Sequence, residues 1–211
     1  MPHHRARFIV LEGLDGAGTT TQAAKLQAHC TRRGTPSFLT NEPTSAPVGA
    51  FIRRLLTGQE RGPDGSTWHP GEDVMGLLFA ADRIAHSRVI QARLEAGEDV
   101  ICDRYVFSSM AYQTLDPSVS VDWVIGVNEG CAVPDLTIVL SVPVDECLRR
   151  LSARKGAAAI YETRDLLETI EKNYERLLPR YEARFGRVVK LDGTRSVDEV
   201  HQAIVDTTGL A

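Results

Sequence analysis

The sequence has no excess of basic residues: 24 Lys and Arg stand against 28 Asp and Glu, a formal net charge of −4. A nucleic-acid-binding surface usually needs a basic excess on one face, so that class is excluded and positive charge for phosphates has to be local. There is no CxxC pair. The four cysteines, Cys30, Cys102, Cys131 and Cys147, lie far apart, which excludes a zinc or disulfide framework and points to reduced, mostly buried thiols. No histidine stands at metal-ligand spacing from another His or Cys, so no transition-metal site is expected; His29, His86 and His201 read as helix-surface residues. No run approaches the ~18 apolar residues of a membrane span, and the N-terminal residues lack the apolar stretch of a signal peptide. The expected compartment is the cytoplasm, with no membrane or nucleic-acid partner. Repeats and low-complexity tracts are also missing, so one domain over residues 1–211 is the economical reading.

What is there is an alternation of short apolar runs and helical stretches, with 43% apolar residues to build a core. Arg7 to Glu12 reads as a buried strand ending at a glycine, and Thr20 to Arg33 as a helix stopped by Gly34. Strands follow at Ser37 to Thr40, Val100 to Cys102, Asp135 to Val142 and Val188 to Leu191. Val48 to Leu56 suggests a short helix, and Gly58 to Gly71 a surface loop. Val74, Leu77, Leu78, Ala81, Ala85 and Val89 recur at helical spacing in a long helix ending near Gly97. This order predicts an α/β fold with a parallel sheet covered by helices on both faces, and ligands beyond the carboxyl ends of its strands.

One motif falls at such an end. Residues Gly13, Leu14, Asp15, Gly16, Ala17, Gly18, Thr19, Thr20 and Thr21 connect a strand to a helix in the manner of a P-loop. Glycines there let backbone N–H groups turn inward and cradle phosphate oxygens at a helix N-terminus. Gly13 and Gly18 fit the GxxxxGK[ST] pattern and Thr20 fits the magnesium-binding hydroxyl, but Thr19 stands where lysine belongs. A tight strand–helix turn without a ligand is the bland alternative.

Leu11 to Gln22, LEGLDGAGTTTQ, resembles the P-loop of bacterial thymidylate kinases apart from Thr19. Four further segments resemble that family in the same order: Asn41-Glu42-Pro43, Leu78 to Arg83, Asp103-Arg104-Tyr105 running on to Tyr112-Gln113, and Pro134 to Thr137. The resemblance implies a P-loop NTPase-type domain with a flexible LID at about residues 152–165. It also implies transfer of the γ-phosphoryl of ATP to dTMP with Mg²⁺, and a homodimer. In its light Phe79 stacks on the base and Arg83, four residues on and on the same helix face, donates to a base oxygen. Arg53 and Arg104 hold the acceptor phosphate; Ser109, Tyr112 and Gln113 meet base and sugar; Glu42 belongs to the EP turn of the substrate site. Asp103 holds Arg104 or waters of the metal, and Asp15 accepts from a 3′-hydroxyl or holds an arginine. Where many relatives place a LID arginine this sequence has Ala158-Ala159, so Arg154 and then Lys155 are the candidates for catalytic charge there, with Asp15 and Arg104 completing the catalytic set. Two rivals remain: a nucleotide-binding protein that has lost catalysis, which Thr19 favours, and a kinase for another deoxynucleotide.

Overall fold

A computed structural model describes residues 5–153 and 164–210. Five parallel strands form one sheet in the order β2-β3-β1-β4-β5. They are β1 (Phe8–Gly13), β2 (Ser37–Asn41), β3 (Asp99–Asp103), β4 (Leu136–Ser141) and β5 (Val188–Asp192). β1 is central and wholly buried, which is why it reads as an unbroken apolar run rather than an alternating one. From β1 the chain crosses to the edge strand β2 and returns to β3 beside β1, then passes to β4 and out to β5 on the other side. The crevice at that reversal is where open α/β sheets bind ligands.

α1 (Thr19–Arg33) and α8 (Val197–Thr208) pack together as one layer. α3 (Glu72–Glu95), α4 (Val106–Gln113) and α7 (Arg164–Phe185) pack together as the other. α2 (Pro47–Leu56), α5 (Val121–Val127) and α6 (Val144–Ser152) complete the helices of the described residues. The ends of α1 follow from glycine: Gly34 takes a left-handed φ of 71° and its N–H closes on Cys30 and Thr31. The predicted elements all form, with bounds moved by a residue or two; α5 had not been anticipated. All four cysteines are free and buried. No helix among the described residues is long and apolar enough to cross a membrane. The segment predicted as the LID lies almost wholly outside the described residues.

α3 departs from expectation in a useful way. Its helical period is as predicted, yet Val74 (37%), Leu77 (50%), Ile84 (38%) and Val89 (44%) are exposed, while Asp82, Arg83, His86 and Ser87 are buried. A helix-period apolar stripe ordinarily marks the core side. Here the middle of the inward side is polar, between Met75 and Ala80 on one end and Ile90 on the other, and its polar side chains find their partners within the protein.

Candidate active site

Strand register brings the motifs to one edge. Asp103 lies level with Leu11 of β1 and with Asn41 of β2, so the P-loop, the Glu42 turn and the Asp103-Arg104 turn leave the sheet side by side. Between them lies a cavity of about 530 Å³ whose lining includes Asp15, Arg53, Phe79, Arg83, Arg104 and Tyr112. Thr20, Glu42, Asp103, Ser109 and Gln113 also reach it. A second cavity of about 500 Å³ opens on the other side of the P-loop, between Ala17, Gly18, Thr21, α6 and the start of α8.

The P-loop geometry requires its glycines at two places. Gly16 has φ 88°, and a Cβ there would meet the Cys147 carbonyl oxygen at 2.6 Å. Gly18, with φ 99°, is the N-cap of α1. Leu14 and Thr19 are buried beneath the loop. Thr20 Oγ1 donates to Asp103 Oδ2, while Asp103 Oδ1 is buried without a hydrogen-bond partner among the described residues.

Arg104 occupies a left-handed φ of 67°, and it is the one described non-glycine residue with positive φ. That turn sends its guanidinium into the cavity, where Nη2 donates to Asp15 at 2.5 Å and Nη1 to Ser108 at 3.0 Å. Its centre lies 5.6 Å from the Tyr112 ring, and the Tyr112 hydroxyl donates to Asp15. Of the two roles left open for Asp15, holding an arginine is therefore the one the apo geometry displays. Asp103, in contrast, pairs with Thr20 and makes no bond to its neighbour Arg104.

Arg83 is fully buried. Nε donates to Glu42 at 2.6 Å, Nη1 to Asn128 at 2.6 Å, and Nη2 to Ser109 at 3.1 Å and the Tyr105 carbonyl at 3.3 Å. A guanidinium has five N–H groups, so one on Nη1 is left for the cavity. Burial works against its charge, but Glu42, with smaller contributions from Tyr105 and Cys131, outweighs it, and its pKa lies above the ordinary arginine value. Glu42 is thus a brace for Arg83. His86, read from sequence as a surface residue, is buried against it: Nδ1 lies 2.9 Å from Glu42 and Nε2 lies 2.8 Å from Thr40 Oγ1. Asp82, Arg83, His86 and Ser87 share one helical stripe, which the sequence displays without telling that it turns inward. Asp82 accepts from the backbone and hydroxyl of Thr44 and so holds the turn after Glu42.

Phe79 is half-buried beside Ile52, Leu55 and Met75, on the same side of α3 as Arg83. Arg53 donates to the Pro43 carbonyl at 2.7 Å, whereas Arg54 turns away to Glu60. Gln113 donates weakly to Glu72, and its Oε1 is buried without a partner among the described residues. Arg154 and Lys155 lie outside the described residues, so the geometry is silent on them.

Glu12 was missed from sequence. It sits fully buried at the end of β1 and accepts from the backbone N–H of Tyr105 and Ser108, from Ser108 Oγ and from Tyr174 Oη, at 2.6 to 3.1 Å. α4 has no side-chain cap of its own. Glu12 satisfies its free N–H groups from a distant strand. Burial raises the Glu12 pKa, partly offset by Arg104 and by these hydrogen bonds. A carboxylate closing an apolar strand was the one available hint.

The thymidylate kinase family profile matches residues 11–204. The chain is 38% identical to a probable thymidylate kinase of Thermococcus kodakarensis over 94% of this chain and 95% of that one. It is 39% identical to the Pyrococcus abyssi counterpart, over 95% of each. A solved thymidylate kinase of Candida albicans superposes with a TM-score of 0.77 at 26% identity, covering 98% of this chain and 93% of that one. These archaeal relatives support the family without supporting the bacterial branch.

Proposed function

The chain belongs to the thymidylate kinase family, and from that membership we propose that it transfers the γ-phosphoryl of ATP to dTMP, giving dTDP and ADP. The fold is that of P-loop NTPases, and the activity class is an ATP-dependent nucleoside monophosphate kinase. The observation that carries the choice of acceptor is the first cavity. An aromatic ring, a braced guanidinium with one N–H to spare and the orphaned Gln113 Oε1 surround a space fit for a planar base. Arg104 and Arg53 present guanidiniums to its phosphate, held by Asp15 and by the Pro43 carbonyl. Tyr112 takes the sugar side. We assign the ATP phosphates to the backbone of Gly13 to Thr21 and the donor base to the second cavity.

Mg²⁺ is implied by the family, and the residues fit it: Thr20 offers a hydroxyl and Asp103 a buried carboxylate oxygen that no other described residue satisfies. When bound, the ion would neutralise charge on the donor phosphates. The protein's own contribution is positioning, with Arg104 stabilising charge where it develops. The chain works as one kinase domain over residues 1–211, with the LID at about residues 152–165. The exposed apolar stripe of α3 supports a homodimer, since such a stripe is costly in water; sedimentation equilibrium of the active enzyme reporting a monomer would refute it.

A coupled ADP-release assay across nucleoside monophosphates tests the reading. The expected order is dTMP first, dUMP weaker and purine monophosphates negligible. Phe79→Ala should raise the KM for dTMP by the equivalent of about 1–3 kcal/mol, the worth of base–aromatic stacking in nucleic-acid sites. Phosphorylation of AMP or dGMP as fast as dTMP would end the assignment.

A further inference from the structure

The loop from Gly13 to Thr21 contains no cation, and Thr19 is buried where a P-loop lysine would reach the phosphates. Counter-charge for the donor therefore has to come from outside the loop. Two guanidiniums among the described residues touch it. One is Arg104, tied to Asp15 and facing the acceptor cavity. The other is Arg150 on α6.

Arg150 is held on three sides. Nε donates to Glu146 at 2.7 Å, Nη1 to the Ala17 carbonyl at 3.2 Å, and Nη2 to the Gly193 carbonyl at 2.8 Å. Nη1 also lies 3.9 Å from where a Cβ on Gly18 would stand, so the group sits at the lip of the loop and lines the second cavity. Three of its five N–H groups are used, which leaves one on each terminal nitrogen. That is the fork a guanidinium offers to phosphate oxygens. Glu146 does not cancel the charge, because it is shared with Arg149, so the three groups carry one net positive charge. Hydrogen bonds from Arg149 and then Arg150 hold Glu146 ionised, with a pKa of about 2.

We propose that Arg150 supplies, from α6, the positive charge at the donor phosphates that Thr19 does not. Holding the guanidinium by two backbone carbonyls places it at the loop before any nucleotide arrives. This rests on the donor site assigned above.

The test is a double-mutant cycle in the full-length enzyme with ATP, Mg²⁺ and dTMP. Arg150→Met should lower kcat by about 10²–10³, the usual loss for one electrostatic contact in a preorganised site, and leave the KM for dTMP within about twofold. Arg150→Gln keeps a donor only at the place of Nε, near Glu146, reaches neither loop carbonyl and carries no charge, so it should be as slow as Arg150→Met. Thr19→Lys alone should raise kcat by about tenfold or less, yet in either Arg150 variant it should restore at least about thirtyfold. A residue that merely clamps the loop predicts otherwise: no rescue of either variant by Thr19→Lys, because a lysine at position 19 restores charge and not the clamp. That result overturns the proposal. Should Arg150→Met fail to fold by thermal melt, the Arg150→Gln pair decides alone. Failure of the wild-type protein to bind ADP by calorimetry would instead remove the donor site itself.

Discussion

Arg104→Ala should cut kcat by about 10²–10³ with every monophosphate the enzyme accepts, because it removes a preorganised cation from the acceptor phosphate. The preorganisation is visible: a left-handed turn, two hydrogen bonds and a ring beneath the guanidinium fix it before any ligand binds. Positive φ in a non-glycine residue is tolerated where surroundings over-determine it, commonly at functional sites. Arg104→Lys should recover little, since a point charge cannot engage Asp15 and Ser108 together while presenting a fork to phosphate. Steady-state kinetics over several acceptors is the check. A loss confined to dTMP would show that Arg104 reads the base and not the phosphate.

Arg83→Ala should destabilise the protein by about 3–5 kcal/mol, the usual result of removing one member of a buried ion pair. Glu42 would be left buried with His86 as its remaining side-chain partner, and Asn128 and Ser109 would each lose a hydrogen bond. In a domain of this size that corresponds to a fall in Tm of roughly 10 °C. The same change removes the base contact, so dTMP should suffer more than other monophosphates and selectivity should relax. Glu42→Gln combined with Arg83→Met separates the effects: it should recover much of the Tm and none of the selectivity. A single Arg83→Ala variant that melts like wild type, or that loses all acceptors equally, would mean the network is not what positions the base contact.

The two sites differ in how far the sequence exposed them. The P-loop and the sheet order of strands and helices were legible because their signals are local: glycines between a strand and a helix, and apolar runs of strand length. Arg104 and Asp15 came into view with the family motifs, and their pairing across 89 residues was one of the two roles open for Asp15. The side to which α3 turns was not legible at all. Periodicity tells which residues share a stripe; only tertiary contacts tell which stripe is buried, and here a polar one is. Glu12 and Asn128 stayed hidden for the same reason. Their partners lie in distant segments, and a solitary carboxylate or amide carries no local mark of what it will brace.

Glu12 also limits how the molecule can move. One buried carboxylate ties β1, the first turn of α4 and Tyr174 of α7. Sliding α4 against the P-loop strand would strand several buried donors, at about 1–3 kcal/mol for each one left unmet. The seat of Arg104 and the root of the P-loop therefore form a fixed anvil. Any stroke that carries donor towards acceptor has to be delivered by parts that Glu12 does not hold.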